Sequence, residues 1–143
     1  MTELRITTEP AELDVPLIHR FLSEESAWAR GIPLATVQES IRHSLNFGLF
    51  AGAGQVAYAR VVTDYATFAY LVDVFVLAEH RGKGYSAELM AAVMVHPGLQ
   101  GLRRFLLATS TAHGLYAKFG FAAPAKPQAL MERFTPDAYV NRG

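Results

Sequence analysis

Two glycines separate a dense apolar run from a helical pattern, in Val74-Phe75-Val76-Leu77-Ala78-Glu79-His80-Arg81-Gly82-Lys83-Gly84-Tyr85-Ser86. The first turn of a helix leaves backbone N–H groups unpaired and carries the positive end of the helix dipole. Glycines just before it let the backbone come close to a ligand, so the junction can cradle phosphate. It is read as a site for a phosphorylated cofactor; the alternative is an ordinary strand-to-helix turn. A second residue with chemistry lies upstream. Asp73 interrupts Tyr70-Leu71-Val72-Asp73-Val74-Phe75-Val76, a strand apolar on both faces and therefore central. A carboxylate there is costly unless paired or partly wet. It can serve a functional site, or it can form a structural ion pair, for instance with Arg60.

The whole chain sets bounds on this chemistry. Its 143 residues suit one domain, 1–143, with one sizeable core. Hydrophobic residues make up 51% and charged residues 18%, as in a compact soluble protein. Thirteen Lys and Arg balance thirteen Asp and Glu, so no global field favours nucleic acid or an anionic membrane. With no cysteine, disulfides, thiolate metal sites and a cysteine nucleophile are excluded, and a cytoplasmic location is expected. Met1-Thr2-Glu3-Leu4-Arg5 has no signal-peptide core, and no apolar run approaches the roughly 20 residues of a membrane span. His19, His43, His80, His96 and His113 show no metal-ligand spacing, so no metal is expected.

The elements that must position these residues follow from periodicity. Residues 4–8 alternate as a strand. Pro10 opens a helix to about Ser23, and a loop with the sole tryptophan, Trp28, ends at Gly31 and Pro33. Leu34, Val37, Ile41 and Leu45 define a second helix. Residues 48–51, 55–63 and 68–77 read as three strands of an antiparallel meander. Gly52, Gly54 and Ala57 match a dinucleotide-binding pattern in form, but the β-branched, alternating run after them makes a hairpin turn the better reading. Tyr85, Leu89 and Val93 mark a helix over 84–96, ended by Pro97-Gly98. A buried strand at 104–108 follows, parallel to the one before the helix. A helix over 112–119 ends at Gly120, and strands are expected from Phe121 and over 130–134. The order β-α-α-β-β-β-α-β-α-β-β describes an α/β (α+β) fold, a mixed and mostly antiparallel sheet with helices on both faces.

This order and two motifs within it resemble the GNAT superfamily of acyl-CoA-dependent N-acetyltransferases. Arg81-Gly82-Lys83-Gly84-Tyr85-Ser86 is similar to that family's pyrophosphate loop, R/Q-x-x-G-x-G/A, with serine in the last place. Ala112-His113-Gly114-Leu115-Tyr116-Ala117-Lys118-Phe119-Gly120-Phe121 is similar to its A-x-x-L/F-Y-x-K-x-G-F. Thr109 stands where the family usually has asparagine, seven residues before the tyrosine, which bears on one pantetheine contact.

The resemblance implies acetyl-CoA as co-substrate. Backbone groups of Arg81, Gly82, Lys83, Gly84, Tyr85 and Ser86 would take the pyrophosphate, and those of Phe75 and Val76 the pantetheine arm. In the family, the central strand and the next one splay apart to admit that arm. Tyr116 would protonate the leaving thiolate, while His113, inside the same motif, is read as structural. Asp73 would bind the acceptor's ammonium or relay its proton, unless the ion pair claims it. Glu24, Glu25, Trp28 and Arg30, between the first two helices, are candidates for the acceptor pocket and would suit a cationic amine. The expected activity is acetyl transfer to a small-molecule or protein amine. The other reading is a non-catalytic acyl-CoA-binding sensor, against which the retained Tyr116 argues. A homodimer is expected from strand edges near the C-terminus.

Overall fold

The computed structural model describes residues 3–140. Five strands form one sheet in sequence order: β1 (Leu4–Thr7), β2 (Leu45–Ala51), β3 (Gly54–Thr63), β4 (Phe68–Val76) and β5 (Arg104–Leu107). The first four are antiparallel, and β4 pairs with β5 in parallel. That parallel pair requires a crossover. It is supplied by helix α3 (Tyr85–Val95), as the sequence predicts. The mixed, mostly antiparallel sheet agrees with the expected fold class.

Helices cover both faces. Helices α1 (Val15–Arg20) and α2 (Leu34–Arg42) bury Ile18, Val37 and Ile41 against Tyr58 and Phe75 of the sheet. On the opposite face α3 buries Leu89, Met90 and Val93, all fully inaccessible, against Phe47, Leu49, Val61 and Leu71. Each such side chain contributes about 1.5–3 kcal/mol relative to an exposed one. Helix α4 (His113–Ala117) is short and adds Tyr116 to this second core.

Three boundaries differ from the sequence reading. The first helix is interrupted: a 3-10 turn at Pro10–Glu12 precedes α1, and a π-helical turn, Phe21–Glu25, follows it. Asp14 makes the break, because its carboxylate caps Leu17 N–H at 3.2 Å and starts a new helix. Leu45 belongs to β2, not to the second helix, since Asn46 bonds back to Ile41 O and Ser44 O and closes the helix early. The two C-terminal strands are a correction. Among the described residues no strand follows Leu107. Pro124 and Pro127 break the chain, and Leu130, Met131 and Phe134 find no ladder and stand exposed. Strand propensity is realised only where the segment packs and pairs with a neighbour.

Candidate functional site

The site begins with a gap in the sheet. Pairing of β4 with β5 runs from Phe68–Arg104 to Leu71–Leu107 and stops, while β4 continues to Val76. Residues 72–76 therefore have an open edge on the β5 side, as a splayed pair would leave. Just past the split the ladder with β3 skips: Arg60 opposes Val72 and Tyr58 opposes Phe75, so Asp73 and Val74 face Ala59 alone. This is a β-bulge, with Asp73 at φ 57, a left-handed conformation that aspartate tolerates better than most residues.

After the bulge, alternation decides which backbone groups face the gap. Leu77 N–H bonds Val56 O at 2.9 Å, toward β3. Val76, one residue earlier, must point its N–H and C=O the other way. Its carbonyl is already met there by Arg81 Nε–H at 3.0 Å. The Val76 N–H, and by the same alternation that of Val74, is thus presented to the gap. The backbone of Phe75 turns to β3, and its ring stacks on Phe21 at 4.0 Å. Phe75 thus reaches the site through its place on the strand, with its backbone turned toward β3.

The glycine junction lies at one end of this edge. Gly82 and Gly84 adopt φ 78 and 80, and a Cβ on either would meet nothing within 4 Å. Their need for glycine is conformational, and the space above them is open. Gly84 precedes α3, and the first intrahelical bond is Glu88 N–H to Gly84 O at 3.1 Å. The N–H groups of Tyr85, Ser86 and Ala87 are left without an acceptor among the described residues, the arrangement an anion needs.

A cavity of about 490 Å³ joins these parts. Phe75, Val76, Arg81, Gly82, Gly84 and Ser86 are on its wall, and Tyr85 as well. Lys83 is exposed and lies off the wall. His80 was not singled out from sequence, where five histidines without metal spacing gave no signal. It lines the cavity, and its buried Nδ1 has no hydrogen-bond partner among the described residues. A buried unpaired nitrogen is costly. If this cavity takes the cofactor that the resemblance implies, His80→Ala should weaken acetyl-CoA binding by roughly three- to tenfold in calorimetry; unchanged affinity would remove His80 from the site.

At the far end stands Tyr116, only 8% exposed. Its helix is placed by two local devices. Thr109 Oγ1 accepts the Ala112 N–H at 3.0 Å, closing the turn that leads into the helix. After it, Gly120 at φ 92 reverses the chain, Phe121 N–H bonds Tyr116 O at 3.2 Å, and the Phe121 ring meets those of Tyr116 and Phe105 edge-on. The G-F pair of the second motif thus fixes the tyrosine ring. Desolvation pushes the Tyr116 hydroxyl above the ordinary tyrosine range, so it stays protonated through neutral pH. His113 starts the helix and lines neither this cavity nor the next.

Beyond Tyr116 a second cavity, about 670 Å³, opens on the Thr109–Thr111 side and shares Ala27, Trp28, Val74, Ala112 and Tyr116 with the first. Asp73 lies on its wall with both oxygens engaged. Oδ1 accepts the Trp28 indole N–H at 2.7 Å, and Oδ2 accepts Arg60 Nε–H at 2.9 Å. Arg60 in turn donates to Ser44 Oγ at 3.0 Å. The ion pair with Arg60 that the sequence left open is present; its link to Trp28 was not foreseeable across 45 residues of chain. Glu25 is on the wall of the first cavity, and no ion pair or hydrogen bond engages its carboxylate among the described residues. Glu24 and Arg30 line neither cavity; Arg30 bonds the Glu24 carbonyl at 3.2 Å. No cluster of three potential metal-ligating side chains occurs among the described residues, and none of their helices is long and apolar enough to cross a membrane.

Comparison with known proteins agrees with this geometry. Residues 45–123 match the acetyltransferase (GNAT) domain family. A Gibberella zeae protein named as an acetyltransferase is 33% identical, over 79% of this chain and 75% of its own length. A Xanthomonas campestris pv. campestris crystal structure, described as belonging to the GNAT family, is 62% identical and superposes with a TM-score of 0.94. It covers 97% of this chain and 98% of that one. A Clostridium acetobutylicum acetyltransferase structure with acetyl-CoA shares the fold at 14% identity. Its TM-score is 0.63, over 94% of this chain and 96% of that one.

Proposed function

Since the chain belongs to the GNAT family of acetyltransferases, we propose that it moves an acetyl group directly from acetyl-CoA to a primary amine. The carrying observation is one cavity that joins an open strand edge at Val76, an anion-ready helix start after Gly84, and a protonated tyrosine. The donor acetyl-CoA that accompanies the fold in the Clostridium structure suits the same three features. In this reading the N–H groups at residues 82–87 hold the pyrophosphate, and the edge of β4 pairs with the pantetheine arm. The Val76 N–H polarises the thioester carbonyl. No part of the proposal needs a metal ion. The compartment proposed is the cytoplasm.

The chemistry balances with the residues present. The neutral amine adds through its lone pair to the carbonyl carbon, and the carbon–sulfur bond breaks. Tyr116 gives its proton to the departing sulfur and regains one from the amine nitrogen through water, leaving an amide and free CoA thiol. A lysine-like amine has a reference pKa near 10.4, so about one molecule in a thousand is neutral at pH 7. Glu25 is the carboxylate placed to meet the ammonium before it loses its proton. Asp73 is a positioning residue, because both its oxygens are committed to Trp28 and Arg60.

A test follows free CoA thiol and thermal shift together, with acetyl-CoA and a broad amine panel. Thiol release dependent on amine supports transfer; binding with no turnover on any amine would favour a cofactor sensor. The pH dependence adds a check. kcat/KM should climb as the amine deprotonates. With the Tyr116 pKa raised, no falling limb from its ionisation should occur below about pH 10. A falling limb near pH 8 that vanishes in Tyr116→Phe would contradict the assignment. A homodimer through the unpaired outer edge of β5 is also proposed, and light scattering reports it directly.

A further inference from the structure

The two cavities meet at Tyr116, but their walls differ in kind. The first carries the glycine loop and the open β4 edge, and is the one proposed above for the donor. The second remains for the body of the acceptor, and 670 Å³ lies within the usual range for small-molecule sites. Its wall is apolar and aromatic, with Trp28, Tyr70, Val72, Leu107 and Phe134. Its polar members include the hydroxyl residues at 109–111, of which Thr109 accepts the Ala112 N–H in the turn before α4.

Among the described residues the only charged side chain on this wall is Asp73. Its carboxylate is neutralised by Arg60 and held by the Trp28 indole. Among the described residues no unpaired carboxylate on the wall is left to meet a second ammonium. Across both cavities, Glu25 is the one carboxylate on a wall without a partner among the described residues, and it lies on the donor side. A free carboxylate can thus meet an ammonium at the reacting end, and none is free along the body.

Trp28 completes the argument. It exposes 51% of its surface, yet a buried carboxylate fixes its indole N–H, and its ring tilts against Phe21 at 6.5 Å. A large aromatic face held rigid at the mouth of both cavities is prepared for a flat partner. We propose that the acceptor is a small primary monoamine with an aromatic body. Its ring lies against Trp28, and its nitrogen reaches the shared wall at Tyr116. Trp28 is the specificity residue, and Asp73 positions it. This replaces the expectation of a cationic acceptor body drawn from Glu24, Glu25, Trp28 and Arg30. It rests on the acetyl-transfer reading for the orientation of the amine, while the preference of the cavity is tested by binding alone.

Trp28 is the only tryptophan in the chain, so intrinsic fluorescence reads the site without a label. The intact protein, saturated with CoA, is titrated separately with 2-phenylethylamine, spermidine and a short lysine peptide. The expected result is a saturable emission change with 2-phenylethylamine at a Kd about tenfold or more below that of the other two. In turnover, Trp28→Ala should raise the KM for 2-phenylethylamine about tenfold with that for acetyl-CoA unchanged, and Trp28→Phe should restore most of it. Asp73→Ala, which leaves the Trp28 indole N–H without its acceptor, should raise the amine KM more than it lowers kcat. Equal or tighter binding of spermidine or the peptide overturns the proposal, as does the absence of any change with 2-phenylethylamine. Preferential binding with no CoA thiol released would support this acceptor site and overturn acetyl transfer, so the two failures are distinct.

Discussion

Tyr116→Phe is expected to bind acetyl-CoA as the unaltered protein does and to turn over roughly tenfold or more slowly. The phenylalanine ring keeps the edge-on contact with Phe121 and the volume of the core, so packing changes little. Only the hydroxyl is lost, and with it the proton for the departing sulfur. General acid help is worth about 10²–10⁴-fold, and water reaching the site can recover part of that. Burial holds the phenol protonated, so the proton is available over the whole neutral range. Single-turnover measurement at saturating acetyl-CoA isolates the chemical step. Unchanged turnover there would remove Tyr116 from the mechanism, whatever its position.

The second large effect falls on stability. Asp73→Ala is expected to lower folding free energy by about 3 kcal/mol, because it leaves a largely buried Arg60 guanidinium without its carboxylate. For a chain of this length that is roughly 10 °C in Tm. It also places alanine at φ 57, where aspartate is tolerated and alanine is strained. Asp73→Asn should cost less, since an amide oxygen can still accept the Trp28 indole and asparagine suits the left-handed region. If Asp73 relays a proton in place of positioning Trp28, Asp73→Asn will shift the pH profile of kcat. An unshifted profile with lowered Tm identifies the ion pair as its role. Calorimetry and a pH series on the same two variants separate the outcomes.

The parts of the site legible in the sequence are those built by local chemistry. Gly82 and Gly84 before a helical pattern, and Tyr116 set among Leu115, Gly120 and Phe121, depend on residues a few positions apart. Backbone conformation and helix starts respond to such neighbours. The same holds for α3, whose Leu89 and Val93 face follows from periodicity. Places where reading from sequence failed required a partner distant in the chain. Leu130, Met131 and Phe134 have the composition of a strand, but they follow Pro124 and Pro127 and join no edge. His80 looked like one histidine among five until the fold closed a cavity around its Nδ1.

The class of fold and the glycine junction before α3 were legible in the sequence through apolar periodicity and short-range geometry, and Tyr116 through its likeness to a family motif. Only the tertiary structure decided where β4 parts from β5, that Val76 and not Phe75 turns its N–H into the gap, and that Asp73 is bound to Arg60 and Trp28. Each depends on strand register, and a single bulged residue reverses which groups face which side. Register is set by the packing of the whole sheet.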